Sequence, residues 1–171
     1  MKPPQIEEYI KASGISYTFL RPVAFYDNFP IAPSFLRFLG VGAFFALAGW
    51  KPVQFIACAD IGIFAAKALL EPANDTYRNA TLDLTAGEYD LEDARRAYAA
   101  AQDGRIPWFA SYFPSQLVYT IPHDFKQMML YFRNHGYQAT RKDVEALRRI
   151  HPGLLSFEEW VRQSSASEKK E

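Results

Sequence analysis

The chain has 171 residues, enough for one domain of ordinary size, and its 19 basic and 19 acidic side chains leave no formal net charge. A neutral chain has no overall field that would attract nucleic acid or an anionic membrane, so we expect no nucleic-acid partner. Apolar residues make up 49% of the sequence, which excludes a disordered protein. The single cysteine excludes an internal disulfide and a cysteine-built zinc site, which favours a reducing, cytoplasmic location.

The sequence contains no evident signal peptide, membrane span or metal site. The longest apolar run, from Val41 to Trp50, has about ten residues, whereas a bilayer helix needs about 20. We interpret this run as a buried or interface helix; the alternative is a patch that lies against a membrane or a missing partner. The three histidines, His123, His135 and His151, do not have the spacing of metal ligands, so no metal is expected.

The first part of the chain is predicted to alternate helices with strands. A short helix over about the first ten residues comes first, because prolines are tolerated only in a first helical turn. Three runs rich in β-branched and apolar residues are predicted as strands: 15–20, 53–59 and 80–85. Pro22 is expected to stop the first strand, and Cys58 is interpreted as a packing residue of the second. Helices capped by Asp60 and Asp90 are expected after the second and third strands.

Helices are predicted to dominate after about residue 102. The strongest local signal is the capping box Ser156-Phe157-Glu158-Glu159, flanked by Leu155 and Trp160 as a hydrophobic staple. The remaining expectations are a short strand or aromatic loop at 107–109, a helix over 115–134 broken near Pro122, a helix from Thr140 to His151, and a disordered polar tail over 164–171.

This order of elements predicts an α/β fold with a mostly parallel sheet and a helical appendage. Three strands alone would leave very apolar strands uncovered at their edges and faces. We therefore interpret the chain as part of a larger fold.

Five motifs, in the order in which they occur, resemble the NmrA-like proteins, an atypical branch of the short-chain dehydrogenase/reductase superfamily. They are 6–15 with 17–22, the turn Phe25-Tyr26-Asp27-Asn28, Asp60-Ile61-Gly62, 124–132, and 147–152 with Leu155, Ser156 and Trp160. The resemblance covers about residues 5–163. It implies the C-terminal part of a Rossmann-type doubly wound parallel sheet with a mainly helical substrate-side lobe, and NADP or NAD as the cofactor.

The dinucleotide fingerprint that the resemblance would require is absent from the sequence. The nine glycines are scattered, and Gly40-Val41-Gly42 neither follows a strand nor opens a crossover. Without a glycine-rich turn, no row of backbone N–H groups is expected to receive a pyrophosphate. The Tyr-x-x-x-Lys pair of reductases is also missing, and Lys2 misses the family's lysine position by one residue. We therefore expect residues 1–163 to form the C-terminal half of such a domain, and we assign no catalytic residue.

The resemblance implies one candidate cofactor-binding segment, the turn Phe25, Tyr26, Asp27 and Asn28, which in the family lies beside the nicotinamide. An aromatic ring there would stack on the nicotinamide, and Asn28 would bind ribose; alternatively, the four are turn and core residues. Arg21 is expected to pair with a carboxylate, or alternatively with a phosphate.

Two functions are predicted. The first is a fragment of an NmrA-like NAD(P)-binding protein, a redox-sensing regulator or a reductase when complete, without independent catalysis. The alternative is an interaction module that docks through exposed strands and the Phe-rich stretch Phe35–Phe45 onto a regulatory protein or a second copy.

His123 beside Asp124 is interpreted as a helix-start pair rather than a general base.

Overall fold

The structure, a computed structural model, describes residues 3–29, 35–101, 123–135 and 139–168. In chain order its elements are α1 (Pro3–Ala12), β1 (Thr18–Pro22), β2 (Ala24–Phe25), a 3₁₀ turn (Tyr26–Asn28), α2 (Phe35–Leu47), β3 (Val53–Ile56), α3 (Cys58–Leu70), β4 (Ala80–Leu84), β5 (Gly87–Tyr89), α4 (Leu91–Ala101), α5 (His123–His135), α6 (Arg141–Ile150) and α7 (Phe157–Glu168). The predicted α/β class, with strands and helices alternating before a helical C-terminal part, is confirmed.

The strands form two small sheets that are linked by one continuous stretch of chain. β1 runs parallel to β4, while β2 runs parallel to β3, which pairs on its other side with the antiparallel β5. Between β1 and β2, the N–H of Val23 still donates to the carbonyl of Leu84, at 3.2 Å. The chain therefore changes its partner from β4 to β3 without leaving the extended conformation.

Pro22 is the last residue of the first strand, as predicted, but a second strand follows after one residue. β1 begins at Thr18, runs through Pro22, and the extended chain resumes as β2 at Ala24. Successive residues of a strand direct their N–H groups to opposite sides, and Val23 directs its own toward β4. The position of the missing Pro22 N–H is therefore on the side of β1 that faces away from β4. Among the described residues no strand pairs with β1 on that side, so the proline costs no hydrogen bond of the sheet.

The second predicted strand is too long, because helix α3 begins earlier than expected. β3 ends at Ile56, Ala57 occupies the N-cap position, and Cys58 is an exposed first residue of the helix rather than a packed strand residue. Asp60 is therefore not the cap; it lies inside the first turn and is buried. The helix can start early because a distant carboxylate, that of Asp27, accepts the backbone N–H of Cys58 at 2.8 Å.

Helix α4 is capped as predicted, by reciprocal hydrogen bonds. The N–H of Asp93 donates to Asp90 Oδ1 at 2.8 Å, and the N–H of Asp90 donates to Asp93 Oδ2 at 3.0 Å. The strand β5 was not predicted; with only the three residues Gly87–Tyr89 it is too short to show a periodic pattern.

The start of α7 confirms the predicted capping box, and α6 begins with a second capping box that was not predicted. Thr140 caps α6, and the side chain and N–H of Ser156 bind the carboxylate of Glu159 at the start of α7. α7 continues to Glu168, so the disorder predicted from Ser164 is wrong for the first five residues of that segment. A well-capped first turn favours propagation into a sequence of only moderate helix propensity. The predictions for 107–109 and for the helix before Pro122 lie outside the described residues.

The core is an aromatic cluster between α7 and the three-stranded sheet. Its fully buried centre is Tyr26, whose ring centroid lies 5.8 Å from that of Phe55 and 5.0 Å from that of Phe157. Phe44 and Phe45 of α2 are also buried there.

In the part of the chain that is described, every helix is too short or too polar to cross a bilayer.

Candidate functional site

The turn Phe25–Asn28 lies at the carboxyl end of β2, which runs parallel to β3. Ligands of open α/β sheets bind at the carboxyl ends of parallel strands, so the turn occupies the position where a cofactor is expected. The N-terminus of α3, which follows β3, lies beside it, because the Asp27 carboxylate accepts the N–H of Cys58. The fold thus brings together two segments that are 31 residues apart in sequence.

The four residues of the turn have different surroundings. Asp27 and Asn28 are exposed and Phe25 is half-buried. Tyr26 has no exposed surface, and burial raises the pKa of its hydroxyl far above the ordinary range, so the phenol stays neutral. In this structure Tyr26 therefore packs the core, and the surface that a ligand could reach belongs to Phe25, Asp27 and Asn28.

The thiol beside the turn is not activated. The pKa of Cys58 is raised above its usual value, mainly by partial burial and to a smaller extent by a hydrogen bond between its side chain and Asp27. The reactive form of cysteine is the thiolate, which a raised pKa disfavours at neutral pH. Cys58 also contacts the turn through its backbone N–H, which donates to Asp27.

A pair formed by the buried Asp60 and the half-buried His151 lies at the other side of the first turn of α3, and no local pattern in the sequence indicates it. His151 Nε2 lies 2.9 Å from Asp60 Oδ1, and the N–H of Leu155 donates to Asp60 Oδ2 at 3.1 Å. The imidazole packs edge-on against Phe64, with a centroid distance of 5.8 Å. Both oxygens of Asp60 are thus bound to the segment between α6 and α7, so the pair fixes the C-terminal helices to the sheet.

Arg21 pairs with carboxylates, as expected. Its Nε donates to Glu7 Oε1 at 2.9 Å, its Nη2 forms a second bond to the same carboxylate, and Asp83 lies 3.8 Å from its Nη1. The hydrogen bond from Arg21 is the main cause that lowers the pKa of Glu7. This guanidinium therefore holds α1 against β1.

His123 and Asp124 are exposed residues at the start of α5, as the helix-start interpretation predicts.

Two described helices directly follow strands, and both have carboxylates at their N-termini. Asp27 holds the N–H of Cys58 at the start of α3, and Asp90 and Asp93 bind each other's N–H groups at the start of α4. A pyrophosphate needs free N–H groups and no negative charge at such a position. These two helix N-termini therefore do not provide a phosphate-binding site.

Within the described residues, His, Cys, Asp and Glu side chains form no group of three that could hold a metal ion.

Comparison with known proteins gives matches among solved structures. No protein-family model matches the sequence. No curated protein matches it either. A nucleoside-diphosphate-sugar epimerase from Staphylococcus aureus superimposes with a TM-score of 0.62 at 18% identity, over 93% of this chain and 56% of that one. NmrA, a negative transcriptional regulator, in complex with NADP, superimposes with a TM-score of 0.59 at 15% identity, over 96% of this chain and 57% of that one.

A double mutant of NmrA gives a similar match, with a TM-score of 0.58 over 95% of this chain and 57% of that one. The α/β fold expected from the resemblance is confirmed, since the chain superimposes on NmrA. The chain spans just over half the length of each of these structures.

Proposed function

We propose that this chain is the C-terminal part of an NmrA-like NAD(P)-binding protein, and that it supplies the nicotinamide-side wall of the cofactor site without the phosphate-binding half. The observation that carries the proposal is the state of the two helix N-termini that follow strands. Both are already bound by carboxylates, those of Asp27 and of Asp90 with Asp93. The match to only about half of the superimposed structures supports the same interpretation.

The turn at the end of β2 is the segment proposed to contact the cofactor. Phe25 has part of its ring surface available for stacking, and the exposed Asn28 amide can donate and accept hydrogen bonds. Asp27 positions the turn by holding the start of α3. In the complete protein, NADP or NAD would place its nicotinamide end here, and the pyrophosphate would be bound by a glycine-rich turn outside this chain.

The proposal predicts that the chain does not bind dinucleotides on its own. Titration of the purified chain with NADPH, followed by cofactor fluorescence, should show no saturable binding at micromolar concentrations. Oxidation of NADPH in the presence of carbonyl compounds, followed by absorbance, should not exceed the rate without protein. Saturable micromolar binding would contradict the proposal, because it would require a phosphate grip that the described helix N-termini do not offer.

The genomic DNA upstream of the Met1 codon provides a second test. An in-frame strand, glycine-rich turn and helix would identify the missing half and would restore the reductase or redox-sensing interpretation for the longer protein. In that longer protein, Asn28→Ala should weaken NADPH binding, while Asn74→Ala, in the turn between α3 and β4, should leave it unchanged.

The second candidate function, an interaction module, is supported by an exposed apolar surface around β1. Four large side chains on α1, α3 and the loop before β1 are mostly exposed: Tyr9 at 73%, Ile15 at 67%, Leu69 at 80% and Leu70 at 81%. One of them, Leu69, lines a cavity of about 430 Å³ between β1 and α3. Soluble monomers rarely expose apolar patches of more than a few hundred Å².

Two aromatic residues of the Phe-rich stretch are not available for docking. Phe44 and Phe45 are buried in the core, so their side chains offer no surface to a partner. Docking is therefore proposed at the surface around β1. Light scattering on the purified chain distinguishes the two functions. The interaction module is favoured if the chain self-associates and the double variant Leu69→Glu with Leu70→Glu abolishes the association. The control variant Asp75→Asn should leave it unchanged. A monomer at all concentrations would argue against docking between copies.

A further inference from the structure

The edge of β1 that faces away from β4, here called the open edge, pairs with no strand among the described residues. The N–H of Val23 donates to the carbonyl of Leu84 on the β4 side, at 3.2 Å. Successive residues of a strand direct their N–H and carbonyl groups to opposite sides, so Thr18 and Leu20 direct theirs toward the open edge. The open edge therefore presents hydrogen-bonding groups with which a further strand can pair.

Helices cover both faces of β1 beside the open edge. On one face, Glu7 of α1 accepts a hydrogen bond from Arg21, at 2.9 Å. On the other face, Leu69 of α3 lines the cavity of about 430 Å³ together with Thr18 and Leu20. An α-helix is about 10 Å wide and neighbouring strands are about 4.8 Å apart, so helices that pack on β1 also extend over the position of the next strand.

The apolar surfaces of both helices are uncovered near that position. Tyr9 of α1 and Leu69 of α3 are mostly exposed, and the small residues Ala65 and Ala68 leave room for side chains in the cavity. A strand at the open edge would bury apolar surface on both of its faces, as strands do in parallel sheets that helices cover on both sides. The open edge thus favours a strand that is apolar on both faces over an amphipathic strand.

The connection from α1 to β1 favours a parallel strand at the open edge. A strand, a helix and a second strand of the same sheet form a crossover, and a crossover joins parallel strands. A second copy of the chain fits this edge less well, because its own α1 and α3 would compete for space with those of the first copy. The favoured occupant is therefore a strand that brings no helices of its own to these two faces.

We propose that the open edge binds one parallel strand, apolar on both faces, from the half of the domain that this chain lacks. The strand would pair with Thr18 and Leu20 and would place a side chain in the cavity beside α3. Its source rests on the proposed function. The superimposed structures support that source, because this chain matches only 56–57% of each of them.

A synthetic peptide, Lys-Lys-Val-Ile-Val-Val-Ile-Lys-Lys, tests the proposal when it is added to the purified chain. In hydrogen-exchange NMR, saturating peptide should slow the exchange of the Thr18 and Leu20 amides at least about tenfold, with a dissociation constant below about 1 mM. The amides of Phe19 and Arg21 face β4, so their exchange should not change.

Control peptides and a spin label test the chemistry and direction of the strand. Replacing the central valine by proline removes an N–H and should abolish the protection. Replacing the second and fourth residues of the apolar run by serine makes one face polar and should weaken binding at least about tenfold. A spin label at the peptide N-terminus should broaden the signal of Tyr17 rather than that of Ala24, as parallel pairing requires.

Two matched variants of α3 complete the test. Ala68→Phe should abolish peptide binding by filling the cavity, while Ala66→Phe, the same change at an exposed position outside the cavity, should leave the affinity unchanged. Equal binding of either control peptide, an antiparallel label pattern or full affinity in Ala68→Phe would overturn the proposal. So would Thr18 and Leu20 amides that are as protected as that of Phe19 without peptide, because the edge would then already be paired.

This proposal and the proposed function fail separately. A peptide that does not bind would overturn strand binding at the open edge and leave the expected absence of NADPH binding untouched. Saturable NADPH binding would contradict the proposed function without changing the expected response of the open edge to the peptide.

Discussion

Asp60 joins the first turn of α3 to two points of the segment between α6 and α7. Its side chain is 2% exposed and has a bond to each oxygen, one from the His151 imidazole and one from the Leu155 N–H. A buried carboxylate with both oxygens satisfied stabilises the folded state chiefly because its removal would leave its partners unpaired.

Asp60→Ala should therefore lower the free energy of unfolding by about 2–4 kcal/mol, since a half-buried imidazole and a half-buried N–H both lose their acceptor. Urea unfolding at pH 7, followed by circular dichroism, measures the change. Asp75→Ala, at an exposed position, is the matched control and should lie within about 0.5 kcal/mol of the wild type. A loss below about 0.5 kcal/mol in Asp60→Ala would show that Asp60 is not needed to hold the C-terminal helices.

Replacing two glycines by alanine should change the stability of the protein in opposite directions. A Cβ on Gly87 would lie 2.8 Å from Tyr89 Oη, and that ring packs against Tyr26 and Phe157, so it cannot move freely. A Cβ on Gly62, inside α3, would meet nothing within 4 Å.

We expect Gly87→Ala to destabilise the protein by about 1–2 kcal/mol through overpacking. Gly62→Ala should stabilise it by up to about 1 kcal/mol through helix propensity. Thermal unfolding of both variants beside the wild type measures the two shifts. A melting temperature that rises in Gly87→Ala would mean that Tyr89 relaxes without loss of core packing.

At the scale of elements, the capping boxes make helix stability depend on pH. The Ser156 hydroxyl and N–H both donate to the Glu159 carboxylate, at 2.6 and 2.8 Å, and these bonds lower the pKa of Glu159 below its usual value. A carboxyl group whose folded pKa is lowered stabilises the fold above its unfolded pKa. That contribution is lost as the pH falls through the folded pKa.

Ser156→Ala should accordingly cost about 1 kcal/mol at pH 7, and the difference from wild type should shrink as the pH falls from about 4.5 towards 3. Urea unfolding at a series of pH values gives this difference directly. Ser16→Ala, in the loop before β1, should show a small difference that does not change with pH. A cost in Ser156→Ala that persists undiminished at pH 3 would exclude the carboxylate as its source.

How well an element was predicted depends on how far apart the determining residues lie in sequence. The start of α7 was correct because Ser156 and Glu159 are neighbours in one helical turn. The start of α3 was wrong because its terminal N–H is bound by Asp27, 31 residues earlier. The partner of Asp60, His151, is 91 residues away, and no local pattern could have identified it.

The position of the turn Phe25–Asn28 in the sheet could be predicted, but the burial of its side chains could not. A turn after a parallel strand could be expected at the carboxyl edge of the sheet, and Phe25–Asn28 lies there. Which side chains point into the core depends on α7, whose Phe157 and Trp160 enclose Tyr26 from the other end of the chain. The sequence pattern alone therefore could not separate the buried Tyr26 from the exposed Asn28.

In the molecule as a whole, α1 is only loosely attached, because none of its side chains that the structure describes is buried. Its Tyr9 is 73% exposed and its Ile6 is 45% exposed, so the apolar face that predicted the helix is largely uncovered. Its main attachments are the two hydrogen bonds between Arg21 and Glu7, and the Lys11 ammonium 5.7 Å from the centroid of the Phe19 ring. Elements held by few buried contacts open without global unfolding.

Hydrogen exchange should therefore show α1 opening as a separate unit, with amides that exchange much faster than those of β3 and α3. Arg21→Ala should increase α1 exchange by about threefold to tenfold, the effect of a partly exposed bidentate pair. The urea midpoint of global unfolding should stay unchanged, because the core does not depend on α1. Arg96→Ala removes a comparable pair with Asp93 on α4 and should leave α1 exchange unaffected. Equal protection of α1 and β3 would instead mean that α1 unfolds only with the core.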